Sequence, residues 1–349
     1  MPFRRVVIGV DFTEASLAAA RWVAMHLAPR AEIVLVHALP DPTAPPYLQR
    51  HLPLCSVVAA SLAPALHGAL RGLASVIGAE RTRVYMTTGW PADALAHVAR
   101  EVEADLVCVG RGARRRGSAR FGATTAQRLL ARTRVPTIVV PVGRHDTPTR
   151  IVAGVDDRPG GEQVLAVACR LAAAYEAGVD ALHVIADEMR PPARVTDAAG
   201  DDAAALDRLR AAAHAWLART LDRASVATVR TTPIIRVGDA GDELVSQLEA
   251  STADLVVVGR GGDRTHALLP AGVFPVGSTT RLVAWASACP VLVLTLEAPR
   301  GPAPVRAARA SRRVPRPTTS AARDGAARAA ATSKRPPQLD PRDGERTAS

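Results

Sequence analysis

The two halves of this chain repeat each other, and that limits its fold more than any other feature. RRVVIGVDFTEASLAAARWVAMHLA (4–28) aligns with TRIVAGVDDRPGGEQVLAVACRLAAA (149–174), and AEIVLVHALPD (31–41) with GVDALHVIADE (178–188). TTGWPADALAHVAREVEADLVCVGRG (87–112) aligns with IRVGDAGDELVSQLEASTADLVVVGRG (235–261), and RLLARTRVPTIVVPV (128–142) with RLVAWASACPVLVLTL (281–296). Asp11 and Asp156 are 145 positions apart, Gly110 and Gly259 are 149 apart, and Pro136 and Pro290 are 154 apart. The drift is what loop insertions produce in two copies of one unit. The halves meet near GRHDTPTR (143–150), which gives a first domain over 1–145, a second over 146–298 and a tail over 299–349.

Within each copy, short β-branched runs alternate with helical patterns, the signature of βαβ units around a parallel sheet. Strands are predicted near 6–10, 33–38, 82–88, 106–110 and 137–142, and again near 151–155, 180–186, 226–237, 255–258 and 291–296. Helices are predicted near 14–28, 55–78, 92–103 and 123–132, then 161–176, 201–224, 240–250 and 278–287. The fold class is α/β: two repeated, doubly wound, five-stranded parallel-sheet sandwiches of Rossmann-like type. Composition agrees, because hydrophobic residues make up 48% of the chain and aromatics only 3%. Such cores are built from Val, Leu, Ile and Ala.

The stretch 55–79 is apolar enough to raise the question of a membrane span. Pro64, His67, Gly68, Arg71 and Gly72 interrupt it, and an Arg at a bilayer centre costs at least about 2.5 kcal/mol. It reads as a soluble helix, breakable at Pro64, that covers a sheet or meets another subunit. The N-terminus enters a strand pattern at once and has no apolar leader pattern. Cys55, Cys108, Cys169 and Cys289 have no metal-type spacing and fit a reducing compartment. The expected location is therefore cytoplasmic, with no membrane partner. The tail from Arg300 holds twelve Arg or Lys against four Asp or Glu, so it carries eight of the eleven net positive charges. Rich in Pro, Ala and Arg, it reads as disordered and offers only weak support for nucleic-acid contact.

In a doubly wound sheet, ligands sit beyond the carboxyl ends of the strands, where the strand order reverses. Asp11 and Asp156 fall after the first strand of each copy, and Ala38 and Val184 end the second. Gly110 and Gly112, then Gly259 and Gly262, end the fourth. Gly122, Thr124 and Thr125, then Gly277, Ser278 and Thr280, open the last helix. Glycines let backbone N–H groups approach a phosphate, and a helix N-terminus adds partial positive charge. The hydroxyls can donate to phosphate or hold a metal ion. The Asp can accept from a ribose or an amino group, and the backbone of Ala38 or Val184 can pair with an adenine edge. Each Asp also has a plainer reading as a helix cap or turn residue.

In combination, GVDFTEAS, LVHA, ADLVCVG, the glycine-rich loop and the closing VPTIVV resemble the universal stress protein family, UspA-like, over nearly all of 4–142 and 149–296. The resemblance implies ATP as ligand, with Mg²⁺ as an accompanying ion, a stress-response role and dimerisation through the last strand. A tandem chain can satisfy that pairing internally or assemble further as a homodimer. ATP-binding members carry G-x-x-G, nine residues, then G-[S/T]. Here Gly110-Arg-Gly112 is one residue short and Ala123 follows Gly122, whereas Gly259–Gly262 and Gly277-Ser278 match but are separated by fourteen residues. The resemblance does not rank the halves.

The chain has no P-loop, no pyrophosphatase or nucleotidyl-transferase motif and no converging carboxylate pair. Slow ATP hydrolysis is the most that it suggests. His37 and His183 read as packing groups beside the crevice, and Arg114, Arg115 and Arg116 as solvated or phosphate-facing. Trp22, Trp90, Trp216 and Trp285 read as core or interface. The expected function is ATP-dependent signalling through shape or partner. The alternatives are a nucleotide-free dimerisation scaffold, or nucleic-acid association through the tail.

Overall fold

Runs of Val, Ile and Leu with no interior charge form the strands, since a strand buried on both faces has no place for polar side chains. The computed structural model describes residues 3–39, 56–112, 124–143, 145–158, 160–187, 199–224, 226–261 and 276–295. The first repeat contains β1 (Arg5–Gly9), α1 (Glu14–Trp22), β2 (Glu32–Leu39), α2 (Ser56–Ile77), β3 (Thr82–Thr88), α3 (Pro91–Glu101), β4 (Leu106–Arg111), α4 (Thr125–Leu130) and β5 (Thr137–Pro141). The second contains β6 (Arg150–Gly154), α5 (Gly161–Tyr175), β7 (Gly178–Ile185), α6 (Ala199–Ala224), β8 (Thr231–Val237), α7 (Ala240–Ser251), β9 (Leu255–Gly259), α8 (Ser278–Ala286) and β10 (Val291–Leu294).

The ten strands of the described residues join in one sheet, in the order β3-β2-β1-β4-β5-β10-β9-β6-β7-β8. Neighbours are parallel within each repeat, and β5 and β10 pair antiparallel where the repeats meet. The last strands therefore pair inside the chain, about a pseudo-two-fold axis. Strand order reverses between β1 and β4 in the first repeat and between β6 and β9 in the second, which puts one crevice in each. On one face a single apolar core runs across both repeats, from Ile8 and Leu35 to Ile151 and Leu292. On the other face each repeat has a core of its own, although Leu130 of the first repeat enters the second core.

The repeated ADL motif has a mechanical explanation. The Asp105 carboxylate accepts from the N–H groups of Arg4 (2.7 Å) and Arg5 (3.2 Å), and Asp254 accepts from those of Thr149 (2.9 Å) and Arg150 (3.0 Å). Each Asp satisfies donors at and just before the start of its repeat's first strand.

Several local expectations need correction. Pro64 does not break α2, which continues from Ser56 to Ile77. The proline lies on the exposed side, where water can replace the lost N–H contact. The helix expected over 14–28 changes at Val23 into a π-turn ending at Leu27, with Ala28 N–H donating to Val23 carbonyl at 2.7 Å. The strand expected from 226 starts only at Thr231, because Val229 N–H closes a turn onto Val226 carbonyl at 2.9 Å. Among the described residues no helix is long and apolar enough to cross a membrane. Cys108, Cys169 and Cys289 are free and buried. Cys55, Arg114, Arg115, Arg116 and the tail over 299–349 lie outside the described residues.

Candidate functional site

In the second repeat the carboxyl ends of β6, β7 and β9 and the start of α8 enclose a crevice of about 560 Å³. That is within the usual 300–1,000 Å³ range of ligand sites. Asp156, Val184, Gly259, Gly277, Ser278 and Thr280, all expected from sequence, line it together. Gly262 lies outside the described residues. Val155, Leu182, Val258 and Val276 give the crevice an apolar wall.

The ladder explains how Val184 is presented. Val155 N–H donates to Leu182 carbonyl at 2.8 Å, so Leu182 turns its polar groups toward β6. Backbone direction alternates along a strand, so Val184 turns the same way. By then β6 has ended at Gly154. The Val184 N–H and carbonyl therefore point at the space the strand has left. In the first repeat Val10 N–H bonds Val36 carbonyl at 2.9 Å, and Ala38 is presented in the same way.

At the start of α8, Gly277 is the N-cap and makes no side-chain cap. Gly277 is held instead by backbone, its N–H donating to Arg260 carbonyl at 3.0 Å while Arg260 N–H donates to Leu294 carbonyl at 2.8 Å. The first-turn N–H groups of a helix have no intrahelical partner. Among the described residues no capping side chain takes them, and Ser278 and Thr279 border the crevice. The Thr280 hydroxyl is already used: it is buried and donates to Gly259 carbonyl at 2.8 Å. Gly261 has φ of +59°, a left-handed conformation that favours glycine.

The first repeat is built differently at the same positions. Thr124 caps α4 in a full capping box: its hydroxyl accepts from Gln127 N–H (3.3 Å), and Gln127 Oε1 accepts from Thr124 N–H (3.0 Å). Thr125 is the first residue of this six-residue helix. Gly110 has a packing reason of its own, since a Cβ there would stand 2.4 Å from Ala15 carbonyl oxygen. Among the described residues nothing stands within 4 Å of a Cβ on Gly112, and Gly122 lies outside the described residues.

The paired aspartates diverge as well. Asp11 folds back on its own turn, Oδ1 accepting from Thr13 N–H (3.0 Å) and Thr13 hydroxyl (2.6 Å), while Thr13 caps α1. Burial acts to raise the Asp11 pKa, but hydrogen bonds from Thr13 and Ser16 outweigh it and hold the carboxyl below its ordinary value. Around Asp156 burial wins: despite the nearby Arg158, its pKa is raised. The first carboxylate is satisfied internally, and the second bears a desolvation cost that an incoming donor would relieve.

His37 and His183 serve as struts. Each Nδ1 faces the carbonyl just after the first strand, Val10 at 2.7 Å and Val155 at 2.9 Å. Only a protonated Nδ1 can bond a carbonyl, which fixes the tautomer. Their rings lie against Phe12 and Trp216, at 5.1 Å and 4.9 Å. Among the described residues no cluster of His, Cys, Asp and Glu could hold a metal ion. Of the tryptophans, Trp22 is buried, but Trp90 is half exposed under the Arg128 guanidinium.

Sequence reasoning missed two roles. Arg158 and Arg281 border the crevice. Arg281 occupies the first turn of α8, where a cation opposes the helix dipole, and that mismatch was the available clue. The middle residues of the two GRG motifs also reach across the pseudo-two-fold. Arg111 donates to the Trp285 carbonyl (2.6 Å) and to the Ser287 carbonyl at the end of α8. Arg260, buried, donates to Thr133 carbonyl beyond α4 and to Thr295 hydroxyl (2.6 Å). Burial, then the neighbouring Arg134, lowers the Arg260 pKa to about 10.

Comparison with known proteins supports the fold. The chain resembles a universal stress protein from Archaeoglobus fulgidus DSM 4304 at 15% identity and TM-score 0.54, over 83% of this chain and 98% of that one. It resembles a functionally unknown protein from Pseudomonas aeruginosa PAO1 at 13% identity and TM-score 0.56, over 84% and 93%. Curated proteins give no sequence match. The universal stress protein family matches twice, at residues 2–141 and 148–295. The chain therefore belongs to the universal stress protein family, with two copies of its domain in tandem.

Proposed function

We propose that the second repeat binds an adenine nucleotide, ATP, and that the first serves as its pairing scaffold. The observation that carries this reading is the contrast at equivalent positions. The second repeat combines a helix start without a side-chain cap, the glycines Gly259, Gly261 and Gly277, and a desolvated Asp156 around one crevice. The first repeat fills the same positions with a capping box and a self-satisfied Asp11.

In this reading the adenine edge pairs with the backbone of Val184, and Asp156 accepts from the ribose. The phosphates lie on the N–H groups of Ser278 and Thr279, with Arg281 and Arg158 balancing their charge. Bound Mg²⁺ would be held by phosphate oxygens, water and the Ser278 or Thr279 hydroxyl, since Mg²⁺ is commonly held by substrate phosphates. Thr280 would contribute its backbone only. Chemistry on the nucleotide is limited to slow hydrolysis, and signalling follows from Gly259–Gly261. Arg260 lies between these glycines and contacts the other repeat, so a shift of their backbone reaches the repeat interface directly.

The test is to denature the purified chain and quantify released adenine nucleotide. The expectation is close to one per chain in the parent and in Asp11→Ala, and little in Asp156→Ala. Nucleotide absent from the parent, with none taken up on adding ATP and Mg²⁺, would leave the scaffold reading in place for both repeats.

A further inference from the structure

The two outer edges of the sheet are not equivalent. At the β8 edge, Val179 N–H donates to Arg230 carbonyl at 2.9 Å, so Arg230, Thr232, Ile234 and Arg236 turn their backbone groups inward. Thr231, Pro233, Ile235 and Val237 then face outward. Pro233 falls on an outward position and removes a donor there, a common way to blunt an edge. At the β3 edge, Gly89 N–H donates to Leu39 carbonyl at 2.9 Å, which by the same alternation turns Thr82, Val84, Met86 and Thr88 outward. None of these is proline, and among the described residues no strand lies on the outward side of β3, whose one neighbour is β2. The one charge on β3, Arg83, is engaged with Glu32 at 2.8 Å.

The helices on the two edges differ in the same sense. The exposed side of α6, over β8, carries Asp207, Arg208, Arg210, Arg219, Asp222 and Arg223. Over residues 61–77 of α2, on β3, the only charge is Arg71. Among the described residues the large hydrophobic side chains left exposed are Met25 (61%), Leu62 (40%), Val76 (65%) and Trp90 (47%), all in the first repeat. Leu62 and Val76 are fourteen residues apart, about four helical turns, and so lie on one side of α2. Arg81 donates to the carbonyls of Ala24 and Ile77, each at 2.9 Å, which brings Met25 to the same end as Val76.

We propose that two copies of this chain associate through the β3 edge and the exposed side of α2, about a two-fold axis. The β3 strand is self-complementary for such pairing. An antiparallel register centred on Tyr85 sets Val84 opposite Met86 and Thr82 opposite Thr88; Val84, Met86 and Thr88 turn their backbone groups outward, whereas the Thr82 N–H is taken by the Ala79 carbonyl, so the pairing is centred on Val84 and Met86. A seven-residue strand edge is about 23 Å long, and residues 61–77 of α2 span about 25 Å. At a width of about 10 Å each, these give roughly 480 Å² per copy, so two copies come close to the roughly 1,000 Å² a specific interface needs. The internal β5–β10 pairing remains as it is, and the new contact lies at the opposite end of the first repeat.

Sedimentation velocity on the full chain reads the association. The expected result is a dimer at micromolar concentration. The surface variant Leu62→Glu/Val76→Glu should weaken it by at least about tenfold. Val84→Pro, which places a proline on an outward position as Pro233 is in β8, should do the same, with circular dichroism checking that it folds. As a positive readout, Tyr85→Cys should crosslink two chains on oxidation where the parent does not. Residues facing each other across a non-hydrogen-bonded pair have Cα atoms about 4.5 Å apart, within disulfide reach. A parent chain that stays monomeric to hundreds of micromolar overturns the proposal. So does a dimer indifferent to the Leu62/Val76 change in which Tyr85→Cys forms no crosslink.

Discussion

The two glycines of the first GRG motif should respond very differently to one added methyl. A Cβ on Gly110 would stand 2.4 Å from Ala15 oxygen and 2.6 Å from Ser16 nitrogen, both main-chain atoms of α1. Ordinary Cβ-to-oxygen contacts are about 3.3–3.6 Å, so strand and helix must separate by about 1 Å. No side-chain rotation can relieve a backbone contact. Val6, Val7 and Ile8 on the adjoining β1 are fully buried, so the strain spreads into a packed core. Overpacking of this kind costs about 1–3 kcal/mol, and a rigid partner puts Gly110→Ala at or above the upper end. Among the described residues no atom lies within 4 Å of a Cβ on Gly112, so Gly112→Ala should stay within about 0.5 kcal/mol of the parent. Urea unfolding followed by circular dichroism reads both: a clear fall in midpoint for Gly110→Ala and almost none for Gly112→Ala. Equal shifts would refute the assignment of Gly110 to packing.

Three further outcomes follow from the same geometry. Asp156→Asn should raise stability at neutral pH while weakening ATP binding. The folded pKa of Asp156 is raised, so its contribution to stability is present below the unfolded value of 3.8 and lost as pH rises through the folded value. Thermal melts across that window should show the gain of the Asn variant growing with pH, and a constant difference would count against it. Arg260→Met should destabilise by about 2 kcal/mol, because hydrogen bonds from a charged group to Thr133 carbonyl and Thr295 hydroxyl are lost; an unchanged urea midpoint would remove the clamp from the account. Thr124→Ala opens the α4 capping box at a cost of about 1 kcal/mol, read as a lower melting temperature.

Much of the fold could be read in advance because repetition and burial leave clear traces. Runs such as VVI at 6–8 and LVVV at 255–258 are apolar without alternation, which marks strands covered on both faces. The boundary at 226 misled because Val226 and Val229 are β-branched, yet a turn claims their backbone. Site geometry was less visible. Asp11 and Asp156 look alike in sequence, but one is followed by Phe-Thr-Glu-Ala-Ser and the other by Asp-Arg-Pro-Gly-Gly, and only the first set supplies hydroxyls that satisfy the carboxylate. Gln127, three residues after Thr124, is the sequence mark of a capping box, although its consequence for the crevice needs the helix start in place. The cross-repeat reach of Arg111 and Arg260 could not be read locally, since their partners lie 174 and 127 residues away.

The most direct test of the account is a calorimetric titration of nucleotide-stripped chain with ATP and Mg²⁺, run on the parent, Asp11→Ala and Asp156→Ala. The account predicts one site per chain in the parent, the same site in Asp11→Ala, and at least about a tenfold loss of affinity in Asp156→Ala. Two equivalent sites, or a site lost in Asp11→Ala and kept in Asp156→Ala, would contradict it.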